Sequence, residues 1–179
     1  MSGFKLEEYW MSARTAAWVG GGDLDAKNVQ NWSDRGLVSF KSEKIKTNHR
    51  RLYSLKSALE ICAIHQMSAN GGEIGTAKSL ARFLVKRLRE QIESKADIHN
   101  PFSWEWLGYR VYNRDDVTIV TGKFLPAETS IDEAGTKISQ HAGYGLEYCL
   151  FPADEAISVV VQRYEDKEAS ELNRLDKGR

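Results

Sequence analysis

Residues 25–56, DAKNVQNWSDRGLVSFKSEKIKTNHRRLYSLK, constrain this chain more than any other stretch. They read as a capped polar helix, a glycine turn, a segment rich in lysine and arginine, and a second helix after Tyr53. Asp25 is a natural N-cap, because its carboxylate can accept from the free N–H groups of a helix that begins near Ala26. In that helix Val29, Trp32 and, past the turn, Leu37 can face a core. Lys27, Asn28, Gln30, Asn31, Asp34 and Arg35 are then left on the outer faces. Asn, Gln, Lys and Arg are side chains that read base edges or hold phosphates, and Gly36 follows as a C-terminal cap. Between Arg35 and Lys56 there are seven basic residues (Arg35, Lys41, Lys44, Lys46, Arg50, Arg51, Lys56) and one acid, Glu43. A local excess of that size concentrates polyanions.

The excess is hidden in the whole chain, where 25 basic residues balance 25 acidic ones. Residues 1–95 hold 16 basic and 10 acidic side chains, and residues 96–179 hold 9 and 15, so the halves carry plus six and minus six. That asymmetry suggests nucleic-acid binding in front and another task behind. An apolar fraction of 41% and a charged fraction of 28% over 179 residues are ordinary for a globular chain of one domain or two small ones. No apolar run reaches membrane-spanning length, and the opening MSGFKLEEYW lacks the apolar core of a signal peptide. A cytoplasmic protein without a membrane partner is expected. Cys62 and Cys149, far apart in such a chain, read as free thiols.

Several positions in this stretch fall in a familiar register. Leu24, Asp25, Asn28, Val29, Gln30, Trp32, Gly36, Leu37 and Val38, followed by Arg51, Leu52, Tyr53 and Ser54 before a helix over 58–64, resemble the winged helix-turn-helix of the MerR superfamily. The resemblance covers roughly residues 9–66. Gln30 stands where many members carry Arg, Gly20, Gly21 and Gly22 lengthen the turn before the recognition helix, and the pair Arg50-Arg51 extends the usual single arginine. The resemblance implies a recognition helix over 26–35 in the major groove, with Lys27, Asn28, Gln30, Asn31 and Arg35 on bases and nearby backbone. It also implies a wing whose Lys44, Lys46, His49, Arg50, Arg51 and Tyr53 hold phosphates.

Around this unit the periodicity divides the chain. Leu6, Tyr9, Trp10, Ala13 and Ala17 predict an entering helix that the three glycines break. Leu52, Leu55, Leu59, Ala63 and Ile64 form the stripe of the next helix, which closes residues 1–70 near Asn70-Gly71-Gly72. A helix over 73–94 carries Ala77, Leu80, Ala81, Leu84, Leu88 and Ile92 on one face and Lys78, Arg82, Lys86 and Arg89 on another. Within a 71–98 segment, that helix either packs on the rest of the chain or joins a homodimer through its apolar stripe. Residues 99–164 read as β-rich, with strands at 103–112, 117–125, 144–151 and 157–164 in two hairpins, and 165–179 as a charged tail. Trp104, Trp106, Tyr109, Tyr112, Tyr144, Tyr148 and Phe151 suit the core of that sheet, or a pocket for a planar or cationic effector.

Cys62 and His65 stand three apart on one helix, a spacing that suits a metal, but no second tight pair accompanies them, and a buried Cys beside a surface His is the simpler reading. The chain has no Walker loop, GxSxG, HExxH or CxxC, and no carboxylate pair in an apolar setting, so no enzyme, cofactor or metal is expected. The combined expectation is an α+β protein. An N-terminal MerR-like winged helix-turn-helix is followed by a long helix and a C-terminal antiparallel sheet that regulates or oligomerises. Its partner is double-stranded DNA and its role sequence-specific transcriptional regulation. The alternatives are a protein-binding adaptor or a packaging or excision factor of a mobile element.

Overall fold

The structure, a computed structural model, describes residues 5–45, 48–69, 74–95, 97–99, 105–113, 116–123 and 148–176. Helix α1 (Ala13–Gly21) starts at Ser12, whose Oγ accepts from Thr15 N at 3.2 Å. The glycine run does not break it where expected. Gly20 and Gly21 lie inside the helix, and a Cβ on Gly20 would sit 2.6 Å from the carbonyl oxygen of Ala58, so the glycine lets α1 press against the next long helix. Gly22, at φ +75°, ends it, its N–H donating to Trp18 O. Helix α2 (Ala26–Asp34) is capped by Asp25, which accepts from Lys27 N at 2.8 Å, and the chain leaves it through Gly36 at φ +67°.

Strands β1 (Lys41–Ile45) and β2 (Asn48–Leu52) form an antiparallel hairpin, Lys41 opposite Leu52 and Ile45 opposite Asn48. Helix α3 (Leu55–Ala69) follows and is the centre of the molecule, with α1, α4 (Ile74–Glu93) and α5 (Ala153–Asp176) all packed on it. Leu55, Ala58, Leu59, Ile61, Ala63, Ile64 and Met67 are all buried, the pattern of a helix surrounded on every side. The apolar stripe of α4, including Ala77, Leu80, Leu84 and Leu88, is buried within the same core. It therefore packs on α3. Strands β3 (Glu105–Asn113), β4 (Asp116–Lys123) and β5 (Tyr148–Pro152) make an antiparallel sheet in the order β4-β3-β5.

The expected α+β architecture, a winged helix-turn-helix in front and an antiparallel sheet behind, is overturned. The described chain is mostly helical, the two-stranded sheet lies within its first third, and the last element is a helix. The fourth expected strand, 157–164, lies in α5. Its β-branched run suggested a strand, but Ile157, Val160, Val161 and Tyr164 are the buried positions, a spacing of three, one and three that only a helix presents to one side. The helix continues to Asp176, through most of the expected charged tail. Of the aromatics expected in a terminal sheet, Phe151 is buried; Trp106, Tyr109 and Tyr112 fall in β3 and Tyr148 in β5; Trp104 and Tyr144 lie outside the described residues.

Helix α5 returns over the N-terminal part. Trp10 Nε1 donates to Tyr164 Oη at 2.7 Å, and Arg163 and Lys167 lie over the Trp18 ring. At its start Asp154, 5% exposed, accepts from Arg87 Nε and Nη2 and from Gln91 Nε2. No described helix is long and apolar enough to cross a membrane.

Candidate nucleic-acid interface

At 100° per residue, Gln30, Asp34, Lys27, Asn31, Arg35 and Asn28 follow one another around α2 over an arc of about 160°. All six are exposed, while Val29 and Ser33, on the far side, are buried. Both buried groups are fixed. Val29 packs in the core, and Ser33 Oγ donates to Val29 O at 2.7 Å.

The hairpin is held at the Gln30–Asp34 edge of this arc. Arg51 Nη2 binds Asp34 Oδ1 at 2.5 Å, and Nη1 donates to Gln30 O at 3.3 Å. The guanidinium carbon lies 4.8 Å from the centre of the Phe40 ring. Hydrogen bonding to Asp34 outweighs partial desolvation and moves the guanidinium pKa further up, so the group stays charged. The same base of the hairpin is also secured by the 38–40 segment. Ser39 N and Oγ both donate to Glu60 Oε2, at 2.6 and 2.7 Å, and Ser57 Oγ donates to Ser39 O at 2.7 Å. Ser57 is itself fixed, its N–H donating to Ser54 Oγ and its Oγ accepting from Ser54 N, a reciprocal cap at the start of α3.

The residues expected to hold phosphates divide accordingly. Lys44, His49 and Arg50 are exposed on the hairpin, with Ser42 Oγ 3.3 Å from His49 Nδ1. Lys46 lies outside the described residues. Arg51 is half-buried and spent on α2. Tyr53 corrects the expectation outright: it is fully buried, its hydroxyl 3.1 Å from Ser33 Oγ and its backbone paired with Met11, so it is a core brace and offers no hydroxyl to a phosphate.

Between α2, β2 and the start of α1 lies a cleft of about 530 Å³ lined by Gln30, Asp34, His49, Arg50, Arg51, Ser12 and Arg14. Sequence reasoning missed Ser12 and Arg14. The signal available was Ser12 three residues before Thr15 at a helix start, which places Arg14 in the first turn beside the hairpin. Polar and cationic side chains thus surround an open cleft next to an exposed polar helix face. The arrangement can bind anions and donate hydrogen bonds.

The thiol of Cys62 is buried, and burial pushes its pKa up to about 12. Among the described residues no group of three metal-binding side chains comes together. His99 Nε2 sits 3.2 Å from Glu165 Oε2. No protein-family model matches the chain, and no curated protein matches it either.

Proposed function

We propose that the outer face of α2 and the β1–β2 hairpin bind double-stranded DNA, and that the protein is a sequence-specific regulator of transcription. One observation carries the reading: Arg51 joins the exposed polar arc of α2 to the cationic hairpin, so that base-reading and phosphate-holding side chains form one face. The resemblance of this segment to the MerR superfamily points the same way. In this reading Lys27, Asn28, Asn31 and Arg35 reach base edges and nearby backbone, Gln30 reads from the hairpin edge, and Lys44, His49 and Arg50 hold phosphates. Arg51 is a positioning residue that sets the hairpin against the helix.

Selection of bound fragments from a random duplex pool, followed by anisotropy titrations at several salt concentrations, tests it. Asn31→Ala should weaken a selected site by roughly 5- to 150-fold, the range of one good base contact, and leave random duplex unaffected. Arg50→Ala should weaken every duplex alike and reduce the slope of log K against log salt by about one. Indifference of both variants sinks the reading.

A further inference from the structure

On the other side of the hairpin base, a cleft of about 690 Å³ opens between the segment after α2, helix α3 and helix α4. Its floor is apolar: Val38, Ala81 and Val85 are buried, and Leu37 and Phe40 share the lining with them. Its rim is cationic, with Lys78, Arg82, Lys86 and Arg89 along α4 and Lys56 across from them on α3. The four α4 cations span eleven positions, or about 16 Å of helix. Glu60 is the acid in the lining, and its Oε2 is held by Ser39. Glu7 approaches Lys56 and Arg89 at 3.8 and 3.7 Å, and Glu90 approaches Lys86 at 3.7 Å. Lys78 and Arg82 are exposed and have no acidic partner among the described residues.

The complementary surface is in the same chain. The last turns of α5 leave the body: six successive residues, 169–174, are exposed, so no side of the helix is packed there. Two turns of helix without tertiary support are marginal in water. The turn before it carries Asp166 and the half-buried Glu168, the segment itself carries Glu171 and Arg174, and next to Glu171 stands Leu172, at 59% exposure the most exposed of the large hydrophobic residues described. Acids with an apolar side chain among them match a cationic rim over an apolar floor, and a duplex backbone would leave that floor unused.

We propose that the end of α5 from a second copy of this chain docks in the cleft between α3 and α4, Glu168 and Glu171 against Lys78 and Arg82, with Leu172 toward the apolar floor. Self-association by this route is independent of the DNA reading.

Sedimentation velocity of the full chain over a concentration series tests it. Wild type is expected to associate reversibly. Lys78→Glu with Arg82→Glu should weaken association at least about tenfold, as should Glu168→Lys with Glu171→Lys, because like charges then face each other. Lys78, Arg82 and Glu171 are exposed and Glu168 is half-buried, and a far-UV melt verifies that each variant is folded. Mixing the two double variants should restore a heterodimer. A chain monomeric at every concentration, association indifferent to either pair, or failure of the mixed pair to associate overturns the proposal. Loss of duplex affinity in Lys78→Glu/Arg82→Glu without loss of self-association also overturns it, assigning the rim to nucleic acid.

Discussion

Arg50 and Arg51 are chemically identical neighbours with different work. Arg51 turns toward α2 and meets a carboxylate, a carbonyl and an aromatic face, whereas Arg50 lines the cleft with no ion pair among the described residues. The Arg51–Asp34 pair is largely open to water, Asp34 at 59% side-chain exposure, so its contribution to stability is under about 1 kcal/mol. Its larger effect is on the field of the face. Asp34 is the acid within the exposed arc and opposes any approaching phosphate. Asp34→Asn should therefore leave the unfolding free energy within about 1 kcal/mol of wild type. It should also tighten duplex binding and steepen the salt slope by up to about one unit, as Arg51 becomes available to the backbone. Anisotropy at several salt concentrations reads both; weaker binding would mean that the tie between hairpin and helix matters more than the charge.

At the scale of elements, the close crossing of α1 and α3 depends on Gly20. A Cβ there would meet Ala58 O at 2.6 Å and Ile61 Cβ at 2.8 Å, and neither the backbone nor a Cβ can swing away. Gly20→Ala gains about 1 kcal/mol of helix propensity but forces two packed helices apart, an overpacking cost of about 1–3 kcal/mol. A net loss and a lower Tm are expected in a thermal melt; a higher Tm would show that the crossing relaxes freely. What the sequence made legible here were local signals. Asp25 and Gly36 bracket α2, and the helix read over 73–94 lies within a residue of the observed ends of α4, because caps and periodicity act over a few residues. The position of Gly20 against Ala58, the turn of Arg51 toward Asp34 and the burial of Tyr53 depend on contacts between residues 17 to 38 positions apart, which no local pattern contains. Helix α5 was misread for another reason: β-branched propensity in ISVVVQRY concealed a helical spacing that was present in the same letters.

Across the whole molecule, the plus six and minus six halves are not kept apart in space. Helix α5, from the acidic half, lies on α1 and α3 from the basic half, and its start is fixed to α4 by Asp154. Arg87 binds both carboxylate oxygens, Nε to Oδ1 at 3.1 Å and Nη2 to Oδ2 at 3.2 Å, while Gln91 Nε2 reaches Oδ1 at 2.9 Å. The carboxylate also sits in the first turn of α5, where unsatisfied N–H groups favour a negative charge. Burying an ion pair does little for stability relative to an apolar filling, but removing one partner leaves the other desolvated without its counter-charge. Asp154→Ala should thus cost about 3 kcal/mol, reduced to the extent that Arg87 turns to Glu90, 4.0 Å away. Trp10 and Trp18 both lie against α5, so loss of its docking should change tryptophan fluorescence at lower urea than far-UV ellipticity if the helix separates first. Coincident transitions shifted to lower urea would instead make α5 part of one cooperative unit. An unfolding free energy within about 0.5 kcal/mol of wild type would remove Asp154 from the account of how the halves are joined.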